Sequence, residues 1–418
     1  MLDLGRQLIR ARMVYPVDAP PLENGCLSIV DGRIEAIGPA NRADGTPTDL
    51  GDVALLPGFV NVHTHLEFSH LTEPLGEPEQ GFVDWIRAAI SERRRRSFRP
   101  AAAIGAGCRE SLRAGVTTVG EIATSNTSAY QRDSTIPQLT IFREVIGFSR
   151  ARADSAFAAT CEELTALDSM SVESPDVDAG ISPHAPYTVS PLLLERLVEY
   201  SNQHRIPIAM HLAESHDELE LLRNGTGPFR ELLEERSMWD REVLRAGGAP
   251  LDYLKQLARS PRALVVHGNY LNSTELDFLA AHRDRLSLVH CPRTHAYFGH
   301  APFDVGEVIA NGVRVVLATD SRASNPDLSL LSELRWVSAR HTSLSPLLVL
   351  RLGTLEAAEA LGRGQSIGSL SVAKIANLLA VPLPAGVNGS GVELLSAVLA
   401  GDEAPSHVWL RGAPVEIG

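Results

Sequence analysis

A (β/α)8 barrel of the TIM type, with a small β-sandwich domain formed by both chain ends, is the architecture this sequence predicts. Three observations predict it. Eight apolar runs of strand length recur between residues 58 and 321, and helical stretches separate most of them. These runs are nearly continuous in apolar residues, as strands covered on both faces must be. Both chain ends instead carry short apolar segments broken by turn residues. The domains expected are residues 1–57 and 367–418, packed together as one unit, and a barrel over 58–366.

Residues 1–56 read ARMVYPV, ENG, CLSIV, DG, RIEAIG and VALLPG, with Asp31-Gly32 as a two-residue hairpin signal. The expected barrel strands are GFVNVHTH (58–65), TTVGEIA (117–123), LTIFREVIG (139–147), DAGISPHAP (178–186), IPIAMHLAES (206–215), ALVVHGNYL (263–271), LSLVHCPR (286–293) and VRVVLATDS (313–321). PAAAIGAGCRESLRAG, SPLLLERLVEYSNQH and LNSTELDFLAAHRD are expected helices between them. A longer helix is expected over 346–362. Short strands are then expected through GQSIGSL, SVAKIANLLAVPL, ELLSAVLAG and HVWLRGAPVEI.

The bulk properties narrow the function classes. A chain of 418 residues, 44% hydrophobic, supports a large core and an accessory unit. A net charge of -13 repels nucleic acid and anionic lipid, so neither is an expected partner. Cys26, Cys108, Cys161 and Cys291 are far apart, which points to free thiols in a reducing compartment. The N-terminus carries an acid and arginines before any long apolar run, and no run approaches membrane-spanning length. A cytoplasmic location is therefore expected.

In such a barrel, chemistry sits at the C-terminal ends of the strands. There the sequence places His63 and His65, His184, His211 followed by Glu214, His267, His290 and Asp320. His63 and His65 are two apart on a strand, so their imidazoles point the same way and suit chelation. A lone histidine at a strand end is ordinarily structural. His290, which precedes Cys291-Pro292, is read that way, while His295 and His300 follow strand seven and stay open. The H-x-H pair with a strand-five histidine and a strand-eight aspartate is a far more specific set. H-E-x-x-H and P-C-x-x-C are both absent, which excludes a zincin protease and the H-x-E type of zinc deaminase.

The motifs PGFVNVHTHLEFS, SPHAPYTVS, AMHLAES, LVVHGNYL, VHCPRTHAYFG, LATDSRASNPDLSLLSEL and GTLEAAEALG resemble the amidohydrolase superfamily, in its cytosine/adenosine aminohydrolase and chlorohydrolase branch. The resemblance covers essentially the whole chain. It departs at residues 373–378, AKIANL, where the family commonly has G-K-x-A-D-L. It implies that His63, His65, His211 and Asp320 bind one catalytic metal. Binuclear relatives need a carboxylated lysine at the end of strand four. The only lysines here, Lys255 and Lys374, do not stand there, so one divalent ion is expected, zinc or else ferrous iron.

The chemistry so implied is hydrolytic deamination. The metal acidifies a water, Asp320 takes its proton, Glu214 protonates a ring nitrogen, His267 holds the nucleophile in line, and ammonia leaves. SPHAPYT, ASNPDL, HTHLEFS and CPRTHAYFG resemble enzymes acting on adenine nucleosides: S-adenosylhomocysteine, 5′-methylthioadenosine and 6-aminodeoxyfutalosine deaminases. By that resemblance His184 contacts the substrate, Trp85 and Arg143 are candidates for the nucleoside part, and Glu67 faces the ligand. The plain alternatives are a buried lid anchor for Trp85 and an ion-paired strand residue for Arg143. The run Arg93–Arg96 reads as a solvated helix face, or else offers one arginine to a substrate carboxylate. The expected partner is a small purine nucleoside-like molecule, and a homodimer is carried because relatives are often dimers. Triazine chlorohydrolysis, guanine or cytosine deamination, cyclic-amide hydrolysis and a non-catalytic role remain as alternatives.

Overall fold

The computed structural model describes residues 5–42, 45–95, 98–130, 136–173, 176–244 and 246–416. Arg96 of the arginine run lies outside the described residues. The chain begins with five strands: β1 (Gln7–Val14), β2 (Leu22–Val30), β3 (Arg33–Pro39), β4 (Thr48–Asp49) and β5 (Val53–Pro57). Asp31 and Gly32 turn β2 into β3 with φ of 50° and 74°, the left-handed pair that a tight hairpin needs.

Eight barrel strands follow: β6 (Phe59–Thr64), β7 (Val116–Ala123), β8 (Gln138–Val145), β9 (Val177–Pro183), β10 (Ile208–Leu212), β11 (Ala263–His267), β12 (Leu286–His290) and β13 (Val315–Leu317). They pair in sequence order, all in parallel. Alternate strand residues such as Val62, Phe142, Ala209, Val266 and Ala318 form an inner core, joined by Ala357 and Ala358 of the helix Leu355–Ala360. The seam between β13 and β6 is closed partly by a side chain. Asn61 donates to Thr319 Oγ1 at 2.8 Å and accepts from Thr319 N at 3.2 Å, while Asp320 N donates to His63 O at 3.2 Å. The Asn61 amide thus does the pairing work of a peptide group.

Three last strands, β14 (Leu378–Pro382), β15 (His407–Leu410) and β16 (Ala413–Val415), join the first five. The order is β16-β15-β14-β5-β1-β2-β3, with β4 beside β1. Pairing is antiparallel except where β1 meets β4 and β5. The sheet curls so that its ends meet: Ala376 N donates to Gly32 O, and Gly412 N donates to Ala376 O. Ile29, Leu55, Leu378 and Trp409 share the core this encloses.

Three expected elements are corrected. GQSIGSL (364–370) forms turns and bends, not a strand. The stretch 346–362 is two helices, Pro346–Leu352 and Leu355–Ala360, not one. Gly353 O accepts from Val60 N of β6 at 2.9 Å, and Thr354 leaves helical geometry at φ -131°, ψ -95°. Pairing to the barrel therefore outcompetes helix continuation. ELLSAVLAG is not a strand but most of the helix Gly391–Ala400. Ser390 and Glu393 cap it reciprocally, an S-x-x-E start signal in the sequence. The four cysteines are free. Among the described residues no helix is long and apolar enough to cross a membrane.

Candidate active site

The site is assembled where strands end. Gly120 of β7 lies so close to β6 that a Cβ on it would stand 2.2 Å from Val62 O, and the strand register shifts between Asn61 and Thr64. Only glycine permits that approach. Beyond it, the His63 and His65 rings stand perpendicular, 5.1 Å apart. His211 is two residues past inward-facing Ala209, so it points inward too. Its ring lies 4.9 Å from His63 and 5.5 Å from His65. Asp320 is two past inward-facing Ala318, and its Oδ1 lies 3.5 Å from His63 Nε2 and 3.6 Å from His65 Nε2. Ser324 Oγ donates to Asp320 Oδ2 at 2.9 Å and orients the carboxylate.

This set fits a metal ion. His63 Nδ1 and Nε2 and His65 Nδ1 are buried without a hydrogen-bond partner. His211 Nδ1 donates to His184 O at 2.9 Å, which leaves Nε2 as a lone pair turned to the others. Neutral imidazoles converging on a carboxylate beyond hydrogen-bond length are poorly compensated unless a cation lies among them. Burial, with His63 and His184 adding to it, pushes His211 down to about 3. Burial also holds His65 well below the usual imidazole range, with His63 and His211 contributing. Both are thus unprotonated, as metal ligands must be. Three imidazoles and one carboxylate suit zinc or ferrous iron.

Beside this centre, Glu214 Oε1 lies 3.3 Å from His267 Nε2. Burial raises Glu214 well above the usual carboxylate range, with the charges of Asp320 and Glu218 adding to it. Burial, then His211 and His63, keeps His267 neutral. Glu218 accepts the amides of Ala213 (2.7 Å) and Glu214 (3.1 Å), and so sets the backbone that carries Glu214. Ala213, His267 and Asp320 all have positive φ (53°, 68° and 59°). Such strain, about 1–3 kcal/mol for each residue, gathers where function demands a particular direction.

The cavity in front of these groups is walled by apolar side chains, among them Phe68, Phe82, Trp85, Ile90 and Leu233. Trp85 donates its indole N–H to Ala323 O at 3.1 Å and packs edge-on against Phe298. His184 also lines the cavity. Glu67 and Arg143 do not line it. Glu67 Oε1 accepts from Thr124 N and Ser125 N (3.1 and 2.5 Å), and Arg143 donates to Thr124 O and Ser125 O (2.7 and 3.0 Å). Both instead clamp the loop after β7.

Of the arginine run, Arg93 reaches the cavity wall, where Glu67 and Glu144 each lie 3.8 Å away, and Arg95 pairs with Glu92. Arg93 therefore has its charge matched by the protein. His290 is buried and stacked on Phe303, away from the cavity lining. His295 lies between Asn269 Oδ1 and Ala301 O, and His300 pairs with the Tyr270 hydroxyl. Three residues of the site went unread in the sequence: Glu144, Glu218 and Ser324. A charged residue closing an apolar strand was the signal for Glu144, and S-x-x-E (215–218) the signal for Glu218.

The amidohydrolase family model matches residues 54–415, and the chain belongs to that family of hydrolases. It is 27% identical over 379 residues to a 5-methylthioadenosine/S-adenosylhomocysteine deaminase of Syntrophobacter fumaroxidans, covering 87% of this chain and 81% of the relative. It is 30% identical over 349 residues to an aminodeoxyfutalosine deaminase of Deinococcus radiodurans, covering 77% and 79%. The crystal structure of Helicobacter pylori aminofutalosine deaminase with methylthio-coformycin superposes with a TM-score of 0.83 at 23% identity, over 98% of this chain and all of that one.

Proposed function

We propose that this chain is a metal-dependent hydrolytic deaminase that removes the exocyclic amino group of an adenine nucleoside derivative. Water is consumed, the amino-bearing carbon becomes a carbonyl, and ammonia leaves. The observation that carries the reading is a buried Glu214, its carboxyl pushed by burial well above the usual carboxylate range, held 3.3 Å from His267 beside a His-His-His-Asp cluster. His63, His65, His211 and Asp320 would hold one divalent cation, zinc first, and the ion would acidify a water near neutral pH. Asp320 takes the proton from that water, and His267 keeps the attacking oxygen in line. Glu214 donates its proton to the ring nitrogen next to the amino carbon, which makes that carbon electrophilic. The proton held by Asp320 then moves to the amino group, which departs as ammonia, and the hydroxyl proton left on the carbon's oxygen is lost as the carbonyl forms, restoring the proton that Glu214 gave to the ring.

The names of the relatives support a nucleoside substrate: 5′-methylthioadenosine, S-adenosylhomocysteine or aminodeoxyfutalosine. The apolar wall suits a flat base and its substituents. The test is ammonia release by zinc-loaded protein across these three compounds, adenosine, guanine, cytosine and melamine, with chloride release from a chlorotriazine alongside. Preference for an adenine nucleoside is the expected result. Chloride release alone, or silence with one equivalent of metal bound, overturns it.

A further inference from the structure

The backbone of Glu214 is held on both sides. Its N–H donates to Glu218 at 3.1 Å, and its C=O accepts from Asn269 Nδ2 at 3.1 Å. Asn269 belongs to the turn that follows His267. Its neighbours in that turn also reach across: Gly268 N donates to Leu212 O at 3.0 Å, and Tyr270 N donates to Ala213 O at 3.1 Å. Three successive carbonyls, 212 to 214, are thus held by the segment that starts at His267. Backbone holds the first two, and a side chain holds that of Glu214. A carbonyl only accepts, so the amide nitrogen of Asn269 faces Glu214 and its Oδ1 faces away. There His295 Nδ1 lies 3.0 Å off, on the helix Pro292–Tyr297 that follows β12. His295 Nε2 lies 2.8 Å from the carbonyl of exposed Ala301. Burial, opposed by that carbonyl, pushes His295 below the usual imidazole range, so near neutral pH the ring carries one hydrogen. Asn269 Oδ1 is the more enclosed of the two acceptors, and water can serve the exposed carbonyl, so the hydrogen belongs on Nδ1.

This series of bonds ends on the pair that deamination needs. Glu214 Oε1 and His267 Nε2 are 3.3 Å apart, and Asn269 ties the carbonyl of one to a point two residues past the other. Ala213 and His267, with φ of 53° and 68°, are strained, and such backbone persists only where its surroundings over-determine it. Resting on the deaminase reading above, we propose that Asn269 is a positioning residue that fixes Glu214 relative to His267, and that His295, through its Nδ1–H, sets the Asn269 amide for that task. The general acid on β10 is then aimed from two other barrel strands: by the turn after β11 and, behind it, by the helix after β12.

The test is steady-state kinetics of zinc-loaded variants on the adenine nucleoside that the wild type turns over, with metal content measured alongside. Asn269→Ala should lower kcat on the order of 10²-fold, the cost of a misplacement of about 1 Å, with KM and metal content unchanged. His295 supplies a readout that a packing role would not move. In His295→Gln the amide nitrogen takes the place of Nε2, Asn269 loses its donor, and kcat should fall. In His295→Asn the amide nitrogen takes the place of Nδ1, and most of that kcat should return. Equal kcat in the Gln and Asn variants, or a loss in Asn269→Ala that falls on KM instead, overturns the inference while leaving the deaminase reading intact. Crystal structures of wild type, Asn269→Ala and His295→Gln decide the geometry apart from turnover. The Glu214–His267 contact should hold in the wild type and lengthen by on the order of 1 Å in the variants. An unmoved pair overturns the inference. Should Asn269→Ala fail to fold, the His295 variants decide. Should no adenine nucleoside be turned over, the deaminase reading fails, and the crystal structures alone decide whether Asn269 and His295 position Glu214.

Discussion

In the proposed reaction, Glu214 owes its role to its neighbours. A carboxyl at a strand end in water would be ionised at neutral pH and useless as an acid. Here burial, with the charges of Asp320 and Glu218 adding to it, pushes the carboxyl well above the usual carboxylate range. Glu214→Gln should lower kcat by on the order of 10²–10⁴ without loss of metal or of thermal stability, as metal analysis and a melting curve would show. The raised pKa sets the sign of the pH dependence. With Glu214 active in its protonated form, kcat/KM should fall as pH climbs through that raised value, above the ordinary carboxylate range. On the acid side His211, pushed down to about 3, does not protonate in mildly acidic solution. A rate that falls as pH rises from 4 to 5, where ordinary carboxylates lose their proton, would contradict the role given to Glu214. His63, His65, His211 and Asp320 were legible as strand-end residues from periodicity, and the barrel brings their side chains together. Glu67 and Arg143 show the limit: strand-end position does not say whether a side chain turns to the cavity or to a neighbouring loop.

At the scale of elements, the end of β10 is a built device. Ser215 accepts from Glu218 N and starts the helix His216–Asn224, while the Glu218 carboxylate holds the amides of Ala213 and Glu214. Glu218→Ala leaves two buried donors without partners, and should destabilise by about 2–4 kcal/mol. It should also lower kcat more than it changes KM, since it frees the backbone that aims the acid. Denaturant titration and steady-state kinetics would separate the two effects. Asn61 plays the equivalent part at the barrel seam. Asn61→Ala removes both hydrogen bonds to Thr319 and should destabilise by about 2 kcal/mol or more, with reduced metal affinity because His63 and Asp320 flank the seam. The elements misjudged from sequence have the same lesson. Apolar periodicity marked 346–362 as one helix, yet the Gly353 carbonyl bonds to β6 and divides it. An apolar run also hid the capped helix Gly391–Ala400.

For the whole molecule, the proposed metal ligands come from the end of β6, from β10 and from the turn after β13, so a bound ion would tie together strands at opposite ends of the barrel sequence. Chelation should lower the melting temperature, and zinc should restore it. At a free zinc concentration of 100 Kd the recovered stability is about 2.7 kcal/mol. An unchanged melting curve on chelation would show that these residues hold no ion in solution. Order along the chain was enough to predict the parallel barrel, the terminal sheet and the buried strands, and it placed the proposed ligands at strand ends. Each of those depends on residue spacing and on the period of apolar residues, which are local properties. Side-chain destinations are another matter. The Asn61 closure, the matching of Arg93 by Glu67 and Glu144, the Glu218 brace and the tie from Asn269 to Glu214 all join residues far apart in sequence. A hydrogen bond or ion pair depends on distances of a few tenths of an ångström between such residues. Only the closed barrel sets those distances.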